Sequence, residues 1–430
     1  MRESSRPIAI DLFAGVGGMT LGFEQAGFDV RAAVEIDPIH CAVHQFNFPY
    51  GSVICRSVDA VTGTDLRQQA GLLDQDIDVV FGGSPCQGFS LMGKRAVDDP
   101  RNALVGHFLR LVTELAPKYF VLENVKGLTM GQHRQFLVDL IAAFQERGYR
   151  VDENYRVLNA VHYGVPQNRE RLFLLGCRSD LPLPAYPPPR TKPPGCRKPA
   201  FTHLPAAPTV WEALADLPTI EHYPELLHQD ACEATYLPPH STYAAVMRGQ
   251  KRWEDDLAYG RTWNPQWLTA SRRTRHSETS VQRFRDTPAG QVEPISRFWR
   301  LDPNGICNTL RAGTPSNRGA FTSPRPIHPF QPRCITVREA ARLHSYPDWF
   351  RFHGTKWHGF RQIGNSVPPL LAKAIAQEIL RVLSVPPPTR PGYLAAGDPD
   401  ALYWNMTQAA QYFGVPPHTI APRRRSGSHM

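Results

Sequence analysis

A thiol and a carboxyl group stand in this sequence in settings that suit covalent chemistry. Cys86 lies in GGSPCQGFS (82–90), directly after Pro85 and just past the apolar run Ile77–Phe81. A structural cysteine prefers an apolar interior, whereas this one ends a strand on a backbone that small residues open to another molecule. An inert loop thiol is the ordinary alternative. Glu123, in ENV (123–125), follows the apolar run Tyr119–Leu122 and lies beside the cysteine strand if the sheet is parallel. There it completes a nucleophile and acid pair, or else it is a helix N-cap or an ion-pair partner. In QNRER (167–171), Gln167, Arg169 and Arg171 alternate, so all three share one face of a strand. A surface charge row is the usual meaning; beside a thiol, Arg169 and Arg171 depress its pKa or hold a substrate phosphate.

A second constellation suits a nucleotide-like ligand. DLFAGVGG (11–18) follows the first strand and opens a helix, where free backbone N–H groups and missing Cβ atoms favour such a ligand. It is not the dinucleotide fingerprint, because Thr20 stands where the third glycine belongs. Glu35 ends the second strand, about where an acid takes ribose hydroxyls, and Asp59 follows Ser52–Cys55, placed to accept from an exocyclic amine. A tight strand-to-helix turn with no ligand is the plain alternative.

The elements that position these groups alternate. Strands are expected at Ile8–Phe13, Val30–Ile36, Ile77–Phe81, Tyr119–Leu122 and Arg171–Leu175, with helices through Ala26 and over Asn102–Leu115 and Gln132–Arg147. Asp37-Pro38 opens a helix by capping and N1 chemistry. Such alternation predicts an α/β fold with a mostly parallel sheet covered on both faces. Prolines from Leu181 onward read as a linker, and 200–332 as a loop-rich domain. Thr336 and Glu339 form a capping box, and Ser366 is expected to cap a helix over Val367–Leu383.

Totals narrow the class. The 430 residues have 42% hydrophobic and 20% charged content, which fits a globular protein. No long apolar segment suggests a leader or a membrane span, so a cytoplasmic protein is expected. The eight cysteines include no Cys-x-x-Cys pair, which argues against a zinc module or a disulfide framework. His40 and His44 read as a solvated or packed pair. The formal charge of +9 permits a polyanionic partner.

Taken in order, DLFAGVGG, Glu35, Asp59, GGSPCQGFS, ENV, QNRER, REAARLHSYPD (338–348) and GNSVPP (364–369) resemble the bacterial DNA (cytosine-5) methyltransferases up to about residue 383. The resemblance implies a Rossmann-like class I methyltransferase large domain, closed by its own C-terminal helix, and a smaller target-recognition domain. The boundaries expected are 1–180 for catalysis and cofactor, 181–332 for recognition with its linker, 333–385 for the hinge and returning helix, and 386–430 for a tail. It implies S-adenosylmethionine as methyl donor, S-adenosylhomocysteine as product and no metal. Phe13, Gly15, Gly17 and Gly18 would contact the cofactor, Glu35 its ribose and Asp59 its adenine. Pro85, Leu104, Asn365, Ser366 and Val367 would complete that pocket. Cys86 would be the nucleophile, Glu123 the acid, and Arg169 and Arg171 the clamp on base or phosphate. Ile36 departs from members that carry tryptophan there.

The implied partner is double-stranded DNA, with a cognate restriction endonuclease or defence system beside a monomeric, non-membrane chain. Readers of DNA are sought in SRRTRH (271–276), with Arg272, Arg273 and Arg275, and in NTLRAGT (308–314), with Thr309, Leu310 and Arg311. MTQAAQYFGVPPHTI (406–420) resembles the start of a helix-turn-helix, or is a packing or disordered extension; the terminal GSHM is set aside. Two other readings stand beside this one: a tRNA cytosine-5 methyltransferase, and a catalytically silent DNA-binding relative.

Overall fold

The computed structural model describes residues 6–85, 103–131, 133–313, 325–385, 390 and 392–417. Short apolar and β-branched runs form the strands of one large sheet: β1 (Ile8–Leu12), β2 (Asp29–Glu35), β3 (Ser52–Cys55), β4 (Val79–Gly83), β5 (Tyr119–Val125), β6 (Tyr149–Val151), β7 (Arg156–Asn159) and β8 (Glu170–Arg178). They lie in the order β3-β2-β1-β4-β5-β8-β6, with β7 also paired to β8. β1 to β5 are mutually parallel, and β8 runs antiparallel to its neighbours. This is the mostly parallel α/β sheet that the strand–helix alternation predicts, and the Rossmann-like arrangement that the resemblance implies.

Period two along each strand divides the core between the two faces. Ala9, Phe81 and Val121 point to one face, where they meet α1 (Gly18–Ala26) and α2 (Pro38–Asn47). Ile10, Val80 and Leu122 point to the other, against α3 (Gly63–Ala70), α4 (Ala103–Leu115) and α5 (His133–Gln145). Asp37 caps α2 by accepting from Ile39 N, with Pro38 at the first position, as expected.

Beyond β8 the regular elements are short: α6 (Val210–Leu214), β9 (Cys232–Glu233), α7 (Thr242–Met247), β10 (Gly260–Arg261), β11 (Trp267–Leu268) and α8 (Glu278–Asp286). The chain then forms α9 (Val337–Leu343), α10 (Lys356–Asn365), α11 (Pro369–Leu383), β12 (Tyr393–Leu394) and α12 (Met406–Tyr412). Thr336 and Glu339 make the predicted capping box on α9.

One expectation is corrected here. Ser366 does not cap the last long helix; it ends α10, and its Oγ donates to Ile363 O at 2.9 Å. Pro368 is the N-cap of α11. A residue before proline is pushed out of the helical region, so the consecutive Pro368 and Pro369 keep both Val367 and Pro368 outside the helix.

α11 returns to pack along α1, and the approach is close: a Cβ on Gly22 would stand 2.5 Å from both Ala372 Cβ and Pro369 O. The loop-rich middle shares the same apolar cluster, since Tyr186, Leu214, Tyr243, Met247 and Leu310 are buried together with Phe23, Phe81 and Leu371. The tail packs as well. β12 pairs with β10, Leu402 is buried, and Gly397 N donates to Phe46 O at 2.9 Å on α2. The second helix expected from the tail prolines falls outside the described residues. No described helix is long and apolar enough to cross a membrane.

Candidate active site

β1, β2, β4 and β5 end side by side, and a cleft of about 520 Å³ opens at their carboxyl ends, where the strand order reverses between β1 and β4. The loop after β1 forms one wall. Its left-handed turn uses Phe13 at φ 61°, Gly15 at 55° and Gly17 at 94°. A Cβ on Gly17 would stand 2.3 Å from the Phe48 ring, and one on Gly18 would stand 2.4 Å from Val367 O. Glycine at these two positions seats the loop directly on α2 and on the segment before α11. Glu35 braces the loop from the other side: its Oε2 accepts from Gly15 N and its Oε1 from Asp37 N, both at 2.9 Å. Phe13, Gly15, Gly18, Glu35, Pro85, Leu104, Asn365, Ser366 and Val367 all line the cleft. Gly17 acts one layer behind it.

Asp59 is placed differently. It is exposed in a short turn over Val58–Ala60, while its neighbours Ser57 and Val58 line the cleft. A hydrogen bond from the Ser57 hydroxyl keeps its carboxyl below the usual range. Sequence reasoning gave no role to Asp11, which lines the floor. Thr20 Oγ1, 3.1 Å from His44 Nε2, donates to Asp11 Oδ2 at 2.6 Å. Burial raises Asp11 to about 8 against that hydrogen bond, and burial lowers His44 to about 3, so His44 is neutral. The pair His40 and His44 is therefore packed rather than solvated.

At the other end, parallel pairing sets Gly83 opposite Glu123. A Cβ on Gly83 would stand 2.6 Å from Glu123 Oε2, so this glycine makes room for the carboxyl group. Arg171 Nε sits 3.0 Å from Glu123 Oε1. Burial raises the Glu123 pKa although Arg171 and Arg169 pull it down. The next residue, Asn124, binds Ser84 through its Nδ2, at 3.2 Å to Oγ and 3.3 Å to the carbonyl oxygen. It ties the end of β5 to the Ser84-Pro85 step that leads to Cys86. ENV marked this asparagine without revealing its partner. Cys86 itself lies outside the described residues.

Arg169 does not reach the cleft. It is 1% exposed, and its guanidinium donates to Leu310 O, Gly364 O and Ser366 O, each at 2.8 Å. All three acceptors are backbone carbonyls, and its buried Nε has no hydrogen-bond partner among the described residues. Gln167 works beside it, donating to Leu343 O at 3.1 Å and accepting from Leu310 N at 3.2 Å. Leu310 is buried in the core, and the half-buried Thr309 donates through Oγ1 to Asn168 O at 2.7 Å. Arg311 is exposed. Arg272 and Arg273 are half-buried, and exposed Arg275 lies 3.3 Å from His228 Nε2.

A doubly covered parallel sheet with a nucleotide-sized cleft at its switch point, walled by a glycine turn and an acid, defines the Rossmann-like methyltransferase class. Residues 8–381 match the family described as C-5 cytosine-specific DNA methylase. The Type II methyltransferase M.XorII of Xanthomonas oryzae pv. oryzae is 59% identical over 421 residues, covering 98% of this chain and 96% of that one. M.DdeI of Desulfomicrobium norvegicum is 36% identical over 396 residues, covering 86% and 88%. A crystal structure described as a DNA modification methyltransferase encoded within an E. coli prophage superposes with a TM-score of 0.69 at 32% identity, covering 88% of this chain and 99% of that one. The chain belongs to the C-5 cytosine-specific DNA methylase family, and its reaction is methylation of carbon 5 of cytosine in DNA.

Proposed function

We propose that the protein methylates a flipped-out cytosine in a specific duplex sequence through a covalent adduct on Cys86, with S-adenosylmethionine as donor. The observation that carries this reading is the buried Glu123 carboxyl, paired with Arg171 and set opposite Gly83, three residues before Cys86. The cleft fits the donor: a Cβ-free turn at Gly15, an acid at Glu35 with lone pairs to spare, and apolar surface from Phe13 and Leu104 suit a nucleoside. When bound, S-adenosylmethionine supplies an electrophilic methyl group.

The chain's own residues do the rest. The Cys86 thiolate adds to carbon 6, which places electron density on carbon 5, and the Cys86–carbon 6 bond breaks again once the carbon 5 proton has gone to a base. Glu123, biased toward its protonated form by burial, donates to the ring nitrogen as negative charge develops there. Arg171 holds that carboxyl in place. The base must leave the duplex to reach this cleft, at a cost of a few kcal/mol. Arg311 is the candidate base reader left exposed in its segment. The names of the Type II relatives support a role beside a cognate restriction endonuclease.

A duplex carrying 5-fluorocytosine at the target tests the adduct, because fluorine cannot leave as a cation. The wild-type protein with S-adenosylmethionine should form a denaturant-resistant complex, and Cys86→Ser should bind the duplex without trapping it. A Cys86→Ser protein that still trapped would remove Cys86 as nucleophile.

A further inference from the structure

Away from the cleft, one group of cations has no carboxylate to answer it among the described residues. Lys356 opens α10, and its Nζ donates to Arg273 O at 2.9 Å and Thr274 Oγ1 at 3.0 Å, both neutral acceptors. Arg325 lies against Phe360 of the same helix, its Cζ 5.1 Å from the ring centroid. Its buried Nε has no hydrogen-bond partner among the described residues. Arg272 belongs to the stretch that supplies the acceptors of Lys356. The nearby Arg333 is already neutralised by Glu221 and Glu339, with contacts of 2.8 Å to each.

Among the described residues no carboxylate lies within ion-pair distance of Lys356, Arg325 or Arg272. Burial, then Arg325 and Arg272, lowers the Lys356 ammonium to about 8. Burial, then Lys356, Arg333 and Arg325, likewise lowers His276, whose Nε2 accepts from Cys334 N at 3.2 Å. Partly desolvated like charges destabilise a fold unless an anion joins them. The placement suits a long anionic ligand. α10 runs from Lys356 to Asn365 on the cleft, roughly 13 Å at 1.5 Å per residue. That distance is about four base steps of a duplex strand.

We propose that Lys356, Arg325 and Arg272 form a binding site for a backbone phosphodiester of the DNA, holding the duplex one helix length from the flipped base. The proposal rests on the DNA-methylating reading above, and it assigns Arg272 to phosphate rather than to a base edge.

The test is equilibrium binding of target and scrambled duplexes across a salt series, with Lys356→Met, Lys356→Arg and the wild type. Lys356→Met should weaken both duplexes by the same factor, about tenfold, and reduce the slope of log K against log salt by about 0.9. Lys356→Arg should restore both, and binding of S-adenosylhomocysteine should match in all three proteins, which excludes a folding defect. Loss confined to the target duplex would make the site a base reader and overturn the proposal. Unchanged DNA binding, with inorganic phosphate protecting the wild type but not Lys356→Met against heat, would make it a free-anion site and also overturn it. A wild-type protein that bound no duplex would overturn the methyltransferase reading, an outcome distinct from both.

Discussion

Asp11 shows how burial can set the charge of a residue. Its carboxyl lies under the cleft with the Thr20 hydroxyl as donor, and burial, added to by the nearby Glu35, raises it to about 8. An unfolded aspartate titrates near 3.8, so between those values the folded chain holds a proton that the unfolded chain has released. The stability this group contributes is complete below the lower value and is lost as pH rises through the upper one, by at most about 1.4 kcal/mol per pH unit. Asp11→Asn removes that dependence. Denaturant titrations at pH 5 and pH 8 should show the wild type losing stability relative to the variant; parallel behaviour would mean that Asp11 is ionised throughout. None of this was legible in DLFAGVGG, where Asp11 reads as the polar end of a strand. Its partner Thr20 lies on α1 and His44, which Thr20 also meets, on α2, and only the packing of those helices brings the three together.

The latch at QNRER belongs to the scale of the elements. Arg169 joins β8 to the segment holding Leu310 and to the turn between α10 and α11, across sequence separations of 141 and 195 to 197 residues. The fit is tight, since a Cβ on Gly364 would stand 2.3 Å from the backbone of Arg311 and Ala312. The segment carrying Arg311 and the part of the cleft wall at Asn365 and Ser366 therefore share one anchor. Arg169→Lys keeps the charge but not the planar fork that reaches three carbonyls. It should cost about 1.5–3 kcal/mol for each charged hydrogen bond lost, seen as a lower melting temperature and weaker S-adenosylhomocysteine binding in calorimetry. Wild-type affinity and melting in that variant would show that the latch carries no load. Alternation in QNRER did not reveal that Gln167 and Arg169 turn inward, because the covering segments come from the far end of the chain. α10 was missed for a related reason: Gly359 and Gly364 interrupt its pattern to admit Val337 and the 311–312 backbone.

At the scale of the whole molecule, the alternating first part was legible because each strand and helix carries its own period. The loop-rich middle and the tail were not, since their order comes from contacts with distant partners: Tyr243 OH donates to Arg342 O, and Gly354 N donates to Leu402 O. Most consequential is the packing of α11 on α1, two helices far apart in sequence. Synthesis runs from one end only. While the ribosome is still building the middle of the chain, α1 already exists but the surface that must cover it has not been made, and neither have Asn365, Ser366 and Val367 of the cleft wall. Folding of the donor site therefore waits for nearly the whole message to be read, a long-range closure of the slow kind. Ribosome-held chains ending before Pro369 should remain sensitive to brief proteolysis within α1 and should not retain S-adenosylhomocysteine, whereas chains held past Leu383 and its exit-tunnel length should resist cleavage there and retain it. The enzyme thus comes into being as a catalyst in one late step rather than by degrees.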